Sequence, residues 1–133
     1  MANGTIAFDT LSTSGQITGT AKSVDTDYVV NGSVKVWVNF DGSASGATAR
    51  DSFNVTSMTD NGTGDYTVTF SNSMSNTSYS ASGLIALEND AGSYNPLSVA
   101  NRTTSNCRVD CENNSSSNSD PAAVDAQIHG DLA

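Results

Sequence analysis

The chain has 133 residues, 36% apolar and 14% charged, and its five basic against fourteen acidic side chains give a formal charge of -9. That length suits one domain with a modest core, burying roughly two-thirds of the unfolded surface. Lys22, Lys35, Arg50, Arg102 and Arg108 are scattered, so no basic patch exists for a nucleic-acid backbone or anionic lipid; a cationic partner or divalent ions stay open.

The opening Met1-Ala-Asn-Gly-Thr5 has no basic or apolar leader character, and no run of about 18 apolar residues occurs. The expectation is a protein that neither uses a signal peptide nor spans or inserts into a membrane, so that assembly and lysis would carry it out of a cell. In residues 1–33 the apolar side chains Ile6, Phe8, Leu11, Ile17, Val24, Tyr28, Val29 and Val30 are thinly spread among Thr, Ser and Gly. So few anchors cannot offset the entropy of ordering a separate core. This stretch reads as an extended N-terminal arm of short strands that packs on the module, on sister subunits or on a larger assembly; no segment reads as an amphipathic helix.

From residue 34 the period is two. Val34, Val36, Val38 and Phe40 alternate with Lys35, Trp37 and Asn39, and Tyr66, Val68 and Phe70 alternate with Thr67 and Thr69, as in strands with one buried face. Phe53 and Val55 begin another strand, Ser78 to Leu87 crosses the centre of a sheet, and Val124, Ala126 and Ile128 form the last strand. Turn-rich pieces separate these runs: Asp41-Gly42-Ser43, Asp60 through Asp65, Glu88 through Gly92, and Asn113 through Asp120. About seven or eight short strands at this spacing predict an all-β fold over 34–133, an antiparallel β-sandwich or jelly-roll-like module.

Cys107, Val109 and Cys111 also alternate. On a strand the two sulfurs share a side about 13 Å apart, too far for a bridge that needs Cα atoms within about 7 Å. The plain reading is two reduced thiols acting as small core residues. A loop disulfide or a bond between subunits is the alternative, and a metal site lacks partners because His129 is the sole histidine.

The run Ser33-Val-Lys-Val-Trp-Val-Asn-Phe-Asp-Gly42, then Ala49-Arg-Asp-Ser-Phe-Asn-Val55 and Thr59-Asp-Asn-Gly-Thr-Gly-Asp-Tyr-Thr-Val-Thr-Phe70, resembles a β-rich module of bacteriophage tail-fibre and other virion structural proteins, including those of phages of marine bacteria. The likeness continues through Tyr79 to Asp120-Pro-Ala-Ala-Val124 and Ile128-His-Gly-Asp131, covering about residues 33–131. It implies a homotrimeric virion component, made in the host cytoplasm, whose arm binds other virion proteins. A fibre or tail-tip module meeting a host-surface glycan or protein is the first expectation; a capsid decoration or head-fibre protein is the second.

No residue is expected to be catalytic, cofactor-binding or metal-binding, and no cofactor is expected. His129 has no nucleophile motif beside it and reads as a surface or interface residue on the polar face with Asp125 and Gln127; a pH-sensitive contact is a lesser possibility. Asp60, Asn61 and Asp65 offer oxygen ligands for Ca²⁺ without EF-hand spacing, and a hairpin turn needs the same residue types. Glu88 and Asp90 are a carboxylate pair, as glycosidases use, but flank a turn. Asn54 and Asn76 stand in Asn-x-Ser/Thr triplets that composition alone generates. Trp37 lies opposite the valine face, so it is either buried on the second face, in a sandwich or subunit contact, or touches a receptor directly. The segments expected to carry receptor contacts are Asp41–Thr48, Asp60–Asp65, Glu88–Tyr94 and Asn113–Asp120.

Overall fold

The computed structural model describes residues 16–18, 23–86, 95–113 and 115–133. Among these, the elements are β1 (Gln16–Thr18), β2 (Ser23–Asp25), α1 (Thr26–Gly32), β3 (Val34–Phe40), β4 (Ala49–Phe53), β5 (Val55–Gly62), β6 (Asp65–Phe70), β7 (Ser80–Ala86), β8 (Asn95–Ala100), β9 (Asn106–Cys111) and β10 (Ala123–His129). β1 and β2 pair with each other, while β3 to β10 form the continuous antiparallel order β4-β3-β10-β7-β8-β9-β6-β5.

That ribbon folds into two four-stranded sheets because its middle joint is thin. β7 and β8 share only the register pairs Leu84↔Pro96 and Ile85↔Asn95. At the opposite edge the chain itself crosses between sheets. Only Asn54, in the left-handed conformation at φ 57°, separates β4 from β5. Its amide donates to the Lys35 and Asn72 carbonyls at 3.1 and 3.2 Å and its oxygen accepts the Asn72 N–H at 2.7 Å, which fixes the corner. β7, β8 and β9 run consecutively and β10 returns beside β7, a Greek key laid across both sheets.

Alternation builds the core, as expected. Val36, Val38 and Phe40 of β3 and Val124, Ala126 and Ile128 of β10 face Tyr66, Val68 and Phe70 of β6 and Cys107, Val109 and Cys111 of β9, all buried. Phe40 meets the Tyr66 ring edge-on at 4.9 Å, and Phe70 meets Tyr79 at 6.0 Å, the arrangement that ring quadrupoles favour. The all-β sandwich expectation therefore holds.

Both cysteines are free and buried. A thiol reagent is expected to titrate both only in denaturant; fast reaction of the native protein would mean that the sandwich is open over β9.

Two local expectations need correction. Tyr28, Val29 and Val30 lie on a helix, α1, instead of a short strand, and all three are exposed. Seven residues are too few to hold a helix alone. The Lys35 side chain supports its end, with the ammonium donating to the Val30 carbonyl, the Ser33 carbonyl at 3.2 Å and the Ser33 hydroxyl at 2.6 Å. Lys35 is consequently only 7% exposed although its parity assigns it to the outer face. The expected boundary at residue 33 thus runs through hydrogen bonds.

Phe53 and Val55 belong to two strands, because the left-handed turn at Asn54 sends Val55 to the other sheet and leaves Phe53 exposed. β7 lies at the middle of the eight-strand order, bonded to β10 on one side and to β8 on the other, and its Leu84 points outward at 63% exposure. Leu87 lies outside the described residues.

Candidate functional site

β3 and β9 end, and β6 and β10 begin, at one end of the sandwich, here the loop end. Gly42, just after β3, donates to the Pro121 carbonyl at 2.9 Å; the Cys111 N–H donates to Gly64 at 2.7 Å and the Ser119 N–H to Cys111 at 3.0 Å. Three of the four expected contact segments, Asp41–Thr48, Asp60–Asp65 and Asn113–Asp120, therefore meet here. The fourth, Glu88–Tyr94, lies outside the described residues, as do Glu88 and Asp90 as a carboxylate pair.

A buried tyrosine holds these loops together. The Tyr66 hydroxyl lies 2.8 Å from Asp120 Oδ1 and 3.1 Å from the Gly42 carbonyl, and Asp120 Oδ1 also accepts the Gly64 N–H at 2.7 Å. Burial and the Asp120 bond raise the Tyr66 pKa beyond the ordinary tyrosine range, so the hydroxyl stays a donor. Arg50 adds a second tie, donating to the Ala122 and Phe40 carbonyls and pairing with Asp41 at 3.1 Å. The Ser43 hydroxyl, 2.6 Å from Asp41 Oδ1, holds that carboxyl below its usual range. Backbone and side chains thus fix the loops on a rigid scaffold.

The residues considered for metal are engaged otherwise. Asp60 accepts the Gly62 N–H at 2.9 Å to close its turn, and Asp65 pairs with Arg108 while accepting Asn61 Nδ2 at 3.3 Å. No group of three His, Cys, Asp or Glu side chains that could hold a metal occurs among the described residues. His129 follows a bulge after Ile128, opposite Val34 and Ser80, half-buried at the far end of β10 from the loops. Asn54 serves the β4–β5 corner, and exposed Asn76 accepts the Ser78 N–H at 2.8 Å.

The other end, where β3 starts and residues 130–133 lie, is the root end. Ser75 donates to Asp131 and Ala133 to Ser73 there, at 2.8 and 2.9 Å. Val29, Val30, Phe53 and Leu132 line an open depression of about 710 Å³ beside the Lys35 contact. Each of these four apolar side chains is largely solvent-exposed.

Trp37 lies on the outer face of the β4-β3-β10-β7 sheet and is 37% exposed, so the sandwich itself does not bury it. The register places it between Phe53 and Gln127, with Ser82 beyond Gln127; the next row reads Asp51, Asn39, Asp125 and Leu84. Trp37, Leu84, Asp125 and Gln127 surround a shallow depression of about 450 Å³. Sequence reasoning singled out Trp37 by parity but missed its frame. Gln127 and Ser82 become its neighbours only through cross-strand register, which no local motif signals.

Fold and geometry together define a Greek-key β-sandwich with polar loops locked at one end and an apolar root at the other. Comparison with protein-family models, with curated proteins and with solved structures finds no match.

Proposed function

We propose that the chain is a structural component of a phage virion, a fibre or tail-tip module that is rooted in the particle and turns its loop end toward the host surface. The observation that carries this reading is the polarity of the module: three polar loops are fixed at one end, and apolar side chains are exposed at the other. Rigid polar loops suit recognition of a host-surface glycan or protein, because their ordering cost is already met before contact. The exposed Tyr28, Val29, Val30 and Leu132 suit burial against other virion proteins and against sister copies in a homotrimer, with residues 1–33 as the attaching arm. A capsid decoration or head-fibre protein is the second reading, favoured by the same apolar root, which a capsid surface covers equally well.

Antibody labelling of intact particles tests it. A handful of copies at a tail tip or fibre end is the expected result; a dense coat over the capsid selects the decoration reading, and absence from purified particles sinks both. Deleting residues 1–25 is expected to remove the protein from particles without unfolding the sandwich, since the Lys35 contacts with Val30 and Ser33 survive that cut. Normal occupancy of the truncated protein would show that the arm is not the fastener.

A further inference from the structure

We propose that the outer face of the β4-β3-β10-β7 sheet is a binding platform for a neutral, hexose-containing glycan, with Trp37 stacking on one sugar ring and Asp125 and Gln127 taking its hydroxyls. One face of a pyranose presents C–H groups, which pack on the electron-rich face of an indole, while its rim presents hydroxyls that need both donors and acceptors. The sheet supplies both sorts of contact side by side. Trp37 is flanked in register by Gln127, and Asp125 stands one row away opposite Asn39 and Leu84.

The polar groups are held in place before any ligand arrives. Asn39 Nδ2 donates to Asp125 Oδ1 at 2.6 Å, leaving Asp125 Oδ2 and the Asn39 carbonyl for hydroxyls. Gln127 Nε2 lies 3.3 Å from Ser82 Oγ, which orients its own carbonyl. Side chains already ordered on strands lose less entropy on binding than free ones. The depression of about 450 Å³ that Trp37, Leu84, Asp125 and Gln127 surround is within the range of small-molecule sites. Leu84 lies two strands from Trp37 across β10 and one row along, roughly 12 Å away by strand spacing and rise, and walls the far side.

Trp37 and its polar frame point to a sugar ring, and charge disfavours two competing occupants. Asp51 and Asp125 are exposed on this face, whereas Arg50 and Arg108 are engaged with Asp41 and Asp65, and Lys35 is buried with its ammonium bonded at the end of α1. A second copy pressed on the same face would bring like charges together, on a chain that already carries -9. An anionic sugar meets the same repulsion. A neutral polyhydroxylated ring meets none, and uses the carboxylates as acceptors.

The platform rests on this face alone: a glycan bound by a protein found off the virion leaves it standing, and a virion protein that binds none removes it. Trp37 is the sole tryptophan, so the full chain reports on the site without a label. The probes are neutral hexaoses of α1,4-, β1,4- and β1,3-linked glucose and β1,4-linked mannose, with an alginate hexamer as the anionic comparison. The expected result is a saturable shift of tryptophan emission with at least one neutral hexaose, weakened about tenfold in Gln127→Ala, a loss that corresponds to one good contact. The Gln127→Ala protein should melt like the parent, because the residue is exposed. The proposal is overturned by an unchanged emission with every neutral hexaose at about 10 mM, well above a millimolar dissociation constant. It is equally overturned by undiminished binding in Gln127→Ala, by alginate binding as tight as the neutral sugars, or by a blue shift that follows protein concentration without sugar, which would make a second copy the occupant.

Discussion

Above about pH 9 the protein is expected to lose stability steeply, because four acidic groups are sealed in the core in their neutral forms. Burial pushes the Cys107 thiol up to about 11 and the Cys111 thiol up to about 12, from an ordinary 9.0. Tyr66 and Tyr79 are raised from 10.0, chiefly by burial, with Asp120 adding to the effect at Tyr66 and Cys107 at Tyr79. Unfolding returns all four to water. The unfolded chain then binds fewer protons than the native one, so stability falls as pH rises. The stabilisation is fully present below the unfolded thiol value and is lost through the folded values. Each thiol should contribute a slope of about 1.4 kcal/mol per pH unit, and the tyrosines should steepen the fall beyond about pH 10. Urea midpoints in reductant from about pH 8 to about pH 11 measure this. Cys111→Ala should lower the midpoint near pH 8, where the buried thiol is neutral in both states, and flatten its pH dependence by about half where only thiols titrate, so that the two curves converge as pH rises. An equal slope in parent and variant would mean that Cys111 ionises within the folded protein.

Gly64→Ala should be among the most damaging small substitutions. Gly64 sits at φ +69°, and an added Cβ would stand 2.5 Å from the Cys111 carbonyl oxygen and 2.8 Å from the Ser119 nitrogen, both backbone atoms that cannot swing aside. Conformational strain and the forced opening of the Gly64–Asp120–Tyr66 clasp should together cost about 2–4 kcal/mol. Gly46→Ala is the comparison, since Gly46 is also left-handed at φ +90° but has open space where the methyl would go. There the cost should be only the conformational one, about 1–2 kcal/mol. Denaturant midpoints of the two variants separate the terms, and equal losses would show that the loop end has room to yield.

Strands with one buried face were legible because each alternation is written in the residues themselves: β3, β6, β9 and β10 lie where Val36, Tyr66, Cys107 and Val124 begin their periods. What escaped reading depends on partners distant in sequence. α1 ends on hydrogen bonds from Lys35, which no helical period announces. The break between Phe53 and Val55 turns on one left-handed residue, Asn54, whose neighbours Lys35 and Asn72 come from other parts of the chain. The same holds for the sites. The polar turns were recognisable by composition, and their meeting at one end follows from strand directions. The Tyr66–Asp120 clasp required the packing of one sheet on the other, and the frame around Trp37 required the register of β10 against β3 and β7.

The position of β10 governs how the chain acquires its structure. β3, which opens the sandwich, has β10 on one side, and β7 finds its main partner in the same strand. During synthesis the segments from β3 to β9 can form hairpins, but the first sheet stays split until β10 has been made. Closing contacts across so long a stretch is slow compared with local pairing. Until then the facing edges of β3 and β7 are unpaired strands that can recruit another chain, so the interval before β10 arrives is when this protein is most exposed to misassembly.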